Sequence, residues 1–414
     1  MKQIQALKVL NSGKNVFLTG SPGSGKTYVL NKFVAKAKSS GKKVAVTATT
    51  GIAATHLSGT TIHSWSGIGI SGSLEELDLK KLKANSNLVK RYKTTDILVI
   101  DEVSMLDGKR LDLISGLAKI FRKNDQVFGG LQVVLVGDLF QLPPVSRDRS
   151  DFDFVYKADC WDQLDLSVCY LTEQHRQKED DGFNEILEGI RVGKLSPNQL
   201  NTLKSRKISP SEEQSLTKLY AHNYDVDQMN EAKLKSLPSE EHVYEMSTSG
   251  LAHDTKRLVS SILAPERLAL KEDCEVMFVV NNQKLGFYNG TRGRVVDFNN
   301  GVPVVRLSDD RYIEVRMHDW HVEINNEVIA SASQLPLRLA WAITIHKSQG
   351  MSLEAAEVDL SHAFTPGMGY VALSRLQSLS GLYLKDMNRL ALVVNRDILE
   401  KDKDFRLQSA SQEL

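Results

Sequence analysis

At 414 residues the chain has room for two or three domains with substantial cores. Hydrophobic residues make up 41% and charged residues 25%, which is globular composition and excludes a fibrous or disordered chain. The 52 basic residues stand against 51 acidic ones, so no global field pulls the chain onto nucleic acid and any such contact must be local.

Four short apolar runs open the chain: Val16–Leu18, Val44–Val46, Ile97–Ile100 and Val133–Val136. Each is rich in β-branched residues and too short for a helix, and each ends in polar residues, as buried parallel strands do. Helical patterns separate them, which predicts a doubly wound α/β domain over residues 1–155 with its site at the carboxyl edge of the sheet. Between Gly67 and Thr95 the pattern becomes a polar, lysine-rich helical insert, placed at residues 66–95. A second α/β section is predicted over residues 156–270 and 331–414. Its strand candidates are Leu216–Ala221, Leu335–Leu339, Ala356–Leu360 and Gly381–Leu384. Residues 271–330 interrupt it with a different texture. There Cys274–Val280, Thr291–Phe298, Val302–Leu307, Tyr312–Val315 and His321–Ile324 alternate with turn signals such as Asn289-Gly290 and Asn299-Asn300-Gly301. Five short strands predict a small β-barrel inserted into the second section.

Cys160, Cys169 and Cys274 fit no CxxC spacing and read as free thiols in a reducing compartment. No apolar run approaches the ~20 residues needed to cross a bilayer. The amino terminus, Met-Lys-Gln-Ile-Gln, carries no secretory apolar segment. A cytoplasmic protein with no membrane partner is the expectation.

The chemistry begins at Gly20-Ser21-Pro22-Gly23-Ser24-Gly25-Lys26-Thr27, between an apolar strand and an amphipathic helix. Its glycines let backbone N–H groups turn inward around phosphate oxygens at the positive end of a helix dipole. Lys26 is placed to reach the β- and γ-phosphates of ATP, and the Thr27 hydroxyl to ligate Mg2+. The third strand ends in Asp101-Glu102, where the first carboxylate suits the metal and the second can polarise the attacking water. Past the fourth strand, Gln141 in Gly137-Asp138-Leu139-Phe140-Gln141-Leu142-Pro143-Pro144 is placed to touch both γ-phosphate and water. Thr50 and Gly51 follow the second strand, His63 and Trp65 lie shortly beyond, and His346, Lys347 and Ser348 lie far downstream. Small hydroxyl residues and backbone amides at strand ends suit phosphate contacts that position a strand without reading its sequence. His63 and Trp65 could also stack on a base; for Trp65, core packing is the competing reading.

Taken in order, these motifs resemble the PIF (petite integration frequency) family of DNA helicases in superfamily one, close to the RecD and Dda type. The resemblance runs from Gln3 to Leu384. Its most specific stretches are Phe128 to Asp138, Leu171 to Gly193 with its His175-Arg176-Gln177, and Tyr370-Val371-Ala372-Leu373-Ser374-Arg375. It implies two RecA-like lobes with ATP between them, single-stranded DNA across their top, 5′-to-3′ translocation and unwinding of duplex. It further implies a Src-homology-like inserted barrel and a wedge in the first lobe's insert. Gln3 would read the adenine edge, Arg176 and Arg375 would be arginine fingers on the γ-phosphate, and Gly350 would sit near the nucleotide. Such a fingered contact accelerates phosphoryl transfer by roughly 10³–10⁵-fold. The implied partners are single-stranded DNA and forked or 5′-tailed duplex, with RNA–DNA hybrid or G-quadruplex as further substrates of a nucleoid-associated monomer acting in repair, recombination or telomere maintenance. The alternative activity is a translocase that displaces proteins from single strands and opens duplexes weakly.

Overall fold

The computed structural model describes residues 1–57, 59–69, 71–145, 152–173, 181–207, 216–280, 282, 284–287, 290–307, 309–324 and 327–412. The chain divides into two compact units, Met1–Ser209 with Ser352–Leu414, and Pro210–Met351.

The first unit is built on six strands: β1 (Val16–Gly20), β2 (Val44–Ala48), β3 (Thr60–Thr61), β4 (Ile97–Asp101), β5 (Gln132–Val136) and β6 (Ser167–Leu171). They form one all-parallel sheet in the order β3-β2-β4-β5-β1-β6. The four predicted apolar runs occupy β1, β2, β4 and β5, because side chains buried on both faces leave no room for polar alternation. Among the described residues up to Ser205 the helices are α1 (Gln3–Asn11), α2 (Lys26–Ser39), α3 (Gly51–His56), α4 (Ile62–Ser66), α5 (Leu79–Ala84), α6 (Ser86–Thr94), α7 (Gly108–Arg122), α8 (Asp159–Gln163), α9 (Asp181–Arg191) and α10 (Pro197–Ser205). On one side of the sheet, Ala6 and Leu10 of α1 and Val29, Leu30 and Phe33 of α2 close over Val16, Leu18, Val99, Val134 and Val136. Each such fully buried aliphatic side chain contributes about 1.5–3 kcal/mol of transfer free energy. The lysine-rich insert folds as α5 and α6. Asn85 caps α6 by accepting from Leu88 N at 3.0 Å.

The expected boundary at residue 155 is corrected by β6. Val168 and Cys169 lie beside Phe17 and Leu18 in register, so β6 is the outer strand of the first sheet rather than the start of a second domain.

In the second unit, β7 (Thr217–Tyr220) is followed by α11 (Asn223–Ser236), β8 (His242–Glu245), β9 (Ser247–Gly250), α12 (Ala252–Ser261) and β10 (Arg267–Leu270). The strands β11 (Glu275–Phe278), β12 (Arg292–Asn299), β13 (Val302–Leu307) and β14 (Tyr312–Glu314) then run as an antiparallel meander. The unit ends with β15 (His318–Ile324), β16 (Glu327–Gln334), β17 (Leu337–Leu339) and β18 (Ala342–Thr344). Two expectations change here. The run at Leu335–Leu339 is not a parallel strand of the α/β section: β17 pairs antiparallel with β11, placing Leu337 opposite Phe278, and completes a sheet ordered β14-β13-β12-β11-β17. The strand expected at His321–Ile324 is displaced from that sheet. It lies in β15, which joins β16 and β9 in a separate three-stranded sheet, beneath which α12 packs around Leu258, Ala330 and Ala332. Burial accompanies the exchange: Leu337 is fully enclosed among Val276, Phe278 and Val305, whereas β15 leaves His321 exposed. Within the same unit, β18 runs parallel to β7.

The returning segment adds β19 (Ala356–Leu360), α13 (Met368–Leu373), β20 (Leu382–Met387) and α14 (Arg396–Ser411) to the first unit. β19 and β20 are parallel. Residues 331–414 were expected as part of a second lobe; within them α14 packs on the first sheet. Phe405 of α14 meets Phe17 of β1 at 5.1 Å between ring centroids, and Ser409 Oγ accepts from Tyr170 N of β6 at 3.1 Å. No helix among the described residues is long and apolar enough to cross a membrane. Cys160, Cys169 and Cys274 are buried and free.

Candidate nucleotide and nucleic-acid site

β1 delivers the chain to the carboxyl edge of the sheet, and α2 begins at Lys26, one residue past a left-handed Gly25. Between them the loop turns at Gly20, Gly23 and Gly25, all at positive φ. At Gly20 a side chain is excluded outright, since a Cβ would lie 2.7 Å from the Leu171 carbonyl oxygen and 2.8 Å from Ser24 Oγ. The loop therefore presents its own backbone to the space above the α2 amino terminus, an arrangement suited to phosphate. Ser24 Oγ is buried with no hydrogen-bond partner, a polar atom inside the loop that a phosphate oxygen would satisfy. Lys26 Nζ donates to the Gly20 and Ser21 carbonyls at 2.8 and 3.1 Å. Desolvation lowers its pKa, opposed by the carboxylates of Asp138, Glu102 and Asp101, so these acids face the same ammonium group. Thr27 lies one residue further along α2 with its side chain exposed. Pro22 and Gly23 stay half-buried on the rim. Gln3, the first residue of α1, reaches the loop directly, its Nε2 donating to Ser24 O at 3.1 Å.

β4 ends at Asp101. Burial first, and the Glu102 carboxylate second, push the Asp101 carboxyl up to about 7, while the Glu102 N–H bonded to its Oδ1 at 2.9 Å and the Lys26 charge pull the other way. Glu102 sits at φ 54°, ψ 41°, the left-handed region that a glutamate rarely adopts. Two bonds from the end of β2 hold it there: Thr49 N donates to Asp101 O at 3.2 Å, and Thr49 Oγ1 donates to Glu102 O at 2.9 Å. Among the described residues, no group of three or more His, Cys, Asp or Glu side chains is arranged to hold a metal ion. A magnesium ion here would thus rest on Thr27, Asp101 and the substrate's own phosphates, the sparse protein ligation that this hydrated ion favours.

The loop after β5 brings Gln141 into the same neighbourhood. Gln141 is 6% exposed, and its N–H donates to Asp138 O at 3.0 Å, closing a tight turn ahead of the buried Pro143 and Pro144. Asp138 itself is fully buried. Its Oδ1 accepts from Arg191 Nη2 of α9 at 3.2 Å and its Oδ2 from the Tyr370 hydroxyl of α13 at 3.0 Å. Burial alone would lower the Arg191 pKa, but Asp138, then Tyr370, Tyr170 and Asp402, outweigh it and keep the guanidinium charged. The Phe140 ring lies 4.6 Å beneath that guanidinium. Arg375 is 3% exposed just beyond α13, with Nε on Val371 O at 3.0 Å and Nη2 on Ser374 Oγ at 2.8 Å. Arg176, the other expected finger, lies outside the described residues.

The residues expected to contact nucleic acid separate into two groups. Thr50 and Gly51 start α3, where Thr50 Oγ1 caps the helix by accepting from Ala53 N at 3.2 Å. His63 is half-buried on α4. Trp65 is corrected to core: it is 5% exposed and packs on Tyr92 of α6 at 4.8 Å, while its carbonyl accepts from Arg91 Nη1 at 2.7 Å. In the second unit, Ser348 is fully buried, its hydroxyl donating to Ile345 O at 2.8 Å. His346 and Lys347 are half-buried, and burial lowers both pKa values. The neighbouring His222 adds to the effect on His346, and Arg338 to that on Lys347. Gly350 follows them, exposed, at φ 81°.

Sequence reasoning passed over Asp138, Arg191, Tyr370 and Arg122 as working residues. Arg122 ties the insert to the glycine turn before β5, with Nε on Gly129 O at 2.7 Å and Nη1 on Tyr92 O and Thr95 O at 2.6 and 2.8 Å. The one available signal was that Asp138, Arg191 and Tyr370 fall inside the stretches that carry the family resemblance.

The family model described as PIF1-like helicase matches residues 1–200. A Psychrobacter protein named ATP-dependent DNA helicase Pif1 is 40% identical over the whole chain, which spans 72% of that relative. Against vertebrate relatives named PIF1 the chain spans 60–63% of their length. The crystal structure of Pif1 helicase from Candida albicans superposes with a TM-score of 0.85 at 33% identity, covering 97% of this chain and 98% of that one. The Bacteroides Pif1 structure in complex with ADP-AlF3 and single-stranded DNA gives 0.74 at 31% identity, covering 98% and 96%. With a phosphate loop, strand-end carboxylates and a glutamine turn of this geometry, and with such relatives along its full length, the chain belongs to the PIF1-like helicase family.

Proposed function

We propose that this chain is an ATP-dependent DNA helicase that translocates 5′-to-3′ on single-stranded DNA and opens forked or 5′-tailed duplex. One observation carries the reading. Lys26, Asp101, Glu102 and Asp138 form a single electrostatic neighbourhood at the amino terminus of α2, reached from the strand ends of β1, β4 and β5. The related Bacteroides structure, which holds a nucleotide mimic and a single strand together, supports the pairing of these two ligands.

In this reading the loop amides and Lys26 hold the β- and γ-phosphates, and Gln3 lies against the loop where a base edge can meet it. Thr27 and Asp101 would hold a magnesium ion, which would supply positive charge at the transferring phosphoryl group. Glu102 accepts a proton from the attacking water, and Gln141 senses the γ-phosphate. Arg375, with Arg176, supplies the finger charge. Thr50, Gly51, His63, His346 and Lys347 remain the strand contacts, and Gly350 the nucleotide contact of the second unit. Two RecA-like lobes are the proposed frame, with the β11–β14 meander and β17 as the inserted small barrel. The support for the barrel is the single core these strands share around Val276, Phe278, Val295 and Leu337. Melting one base-pair step costs about 1.4 kcal/mol on average, small against the free energy of one ATP turnover.

Strand displacement from duplexes carrying a 5′ or a 3′ tail tests the proposal. Unwinding from 5′ tails alone is expected. Unwinding only from 3′ tails overturns the polarity, and ATP hydrolysis stimulated by single strands without strand separation from either tail overturns the helicase in favour of the translocase.

A further inference from the structure

We propose that Asp138 is a positioning residue for ATP hydrolysis, locking the Gln141 turn to α13 and thereby to Arg375. The inference rests on reading Gln141 as the γ-phosphate sensor.

Asp138 lies two residues past the end of β5 and opens the turn that ends at Gln141. Four bonds hold that turn: Gln141 N on Asp138 O, Phe140 N on Asp138 Oδ1 at 3.3 Å, and the two carboxylate bonds to Arg191 and Tyr370. The carboxylate therefore serves two purposes at once. One oxygen shapes its own loop while both oxygens bind helices that arrive 53 and 232 residues later in sequence. A second contact repeats the linkage through the backbone. Gly367, the cap of α13, lies so close to the turn that a Cβ there would meet the Phe140 and Gln141 carbonyl oxygens at 2.6 Å each. Its φ of 83° also favours glycine. Tyr370 follows on α13, and Arg375, just beyond its end, is bonded back to Val371 O, so α13 cannot shift without moving the Gln141 turn or breaking the Tyr370–Asp138 bond.

Stability is a weak reason for such an arrangement. A buried ion pair adds little compared with packed apolar groups of the same volume, but it fixes geometry sharply, because a misplaced partner leaves a buried charge uncompensated. Asp138 is fully buried and Arg191 is 2% exposed, so the penalty for misalignment is not relieved by water. The Asp138 charge is the strongest of those that raise the Lys26 pKa, so the lock lies within electrostatic reach of the phosphate loop it would serve.

The test is a pair of substitutions read separately and together. Tyr370→Phe removes one hydroxyl and keeps the ring packing. Gln141→Ala removes the sensor. ATP turnover is measured on the whole chain with saturating oligodeoxythymidylate, along with KM for ATP, strand affinity and the thermal midpoint. Tyr370→Phe is expected to lower kcat about tenfold, the effect of losing a hydrogen bond to a buried charge, with KM and strand affinity within about twofold. In the Gln141→Ala background the same change is expected to cost nothing further, because its route to the chemistry is already gone. Losses that multiply overturn the coupling alone, as does a Tyr370→Phe protein with unchanged kcat. Unchanged turnover in Gln141→Ala overturns the sensor reading itself and the coupling with it. Asp138→Asn, which removes the nearest carboxylate partner of Arg191, is expected to reproduce the kcat loss together with a lower thermal midpoint.

Discussion

Thr49→Val probes the most strained residue in the proposed active site. Glu102 holds a left-handed backbone, which costs an L-residue roughly 1–2 kcal/mol. Opposing that cost is the 2.9 Å bond from Thr49 Oγ1 to the Glu102 carbonyl, worth about 1 kcal/mol net for a neutral pair. Valine keeps the shape and the β-branched fit of threonine while removing this one donor. The bond and the strain are of similar size, so its loss lets the Glu102 peptide leave the geometry that aims its carboxylate. A shift of about 1 kcal/mol corresponds to roughly a fivefold fall in kcat for ATP. KM is expected to hold, because the phosphate loop is untouched, and Thr49→Ser to restore turnover to within about twofold. A companion substitution separates strain from chemistry. Glu102→Gly is expected to abolish hydrolysis yet raise thermal stability, since glycine adopts this conformation without the Cβ penalty. The assay is steady-state ATP hydrolysis at saturating single strand, alongside thermal melts. Wild-type turnover in Thr49→Val, or a Thr49→Ser protein as slow as the valine variant, refutes the reasoning.

Lys26→Ala is expected to reduce ATP hydrolysis by about 10²–10³-fold, the scale for removing one preorganised charge from a transition state. Strand affinity in a fluorescence-anisotropy titration is expected to stay near wild type. Arg375→Ala is expected to depress kcat far more than nucleotide affinity, because the charge it answers develops in the transition state. Equal losses in the two quantities refute the finger. Trp65→Ala is expected to act on stability rather than on DNA, with a loss of about 3–5 kcal/mol for an aromatic cut from a core. A chemical-denaturation midpoint measures that loss, and weakened strand binding in a stably folded Trp65→Phe protein refutes the core assignment.

The features legible in the sequence are those written in local chemistry. The phosphate loop could be read because strand, glycines, lysine and helix are contiguous, and each has a reason to be that residue at that place. The buried parallel strands were equally plain, since Val16–Leu18 and Ile97–Ile100 admit no polar face. Where the reading went astray, competition between distant segments decided the outcome. The run at Leu335–Leu339 has strand composition, but nothing local says whether it pairs with β11 or with a parallel neighbour. Enclosure of Leu337 beside Phe278 settles that, and it is a property of the folded sheet. β6 likewise looks like any short apolar strand until its register with β1 assigns it to the first sheet. Trp65 carried two readings, and the choice depended on Tyr92, 27 positions later, lying beneath it in the insert.

The lock at Asp138 shows why such coupling escapes a linear reading. An aspartate after a strand, an arginine at a helix end and a tyrosine in an apolar helix are each unremarkable in sequence, and any one alone reads as a solvated or core residue. Their meaning arises only when β5, α9 and α13 converge so that one carboxylate satisfies both donors in a space closed to bulk solvent. In that setting the charge cannot be left unpaired, so the geometry of all three elements becomes one variable rather than three. A machine that must tie hydrolysis to movement needs such a reduction in freedom. The proposed sensor and finger lie at the two ends of it, Gln141 three residues after Asp138 and Arg375 five residues after Tyr370.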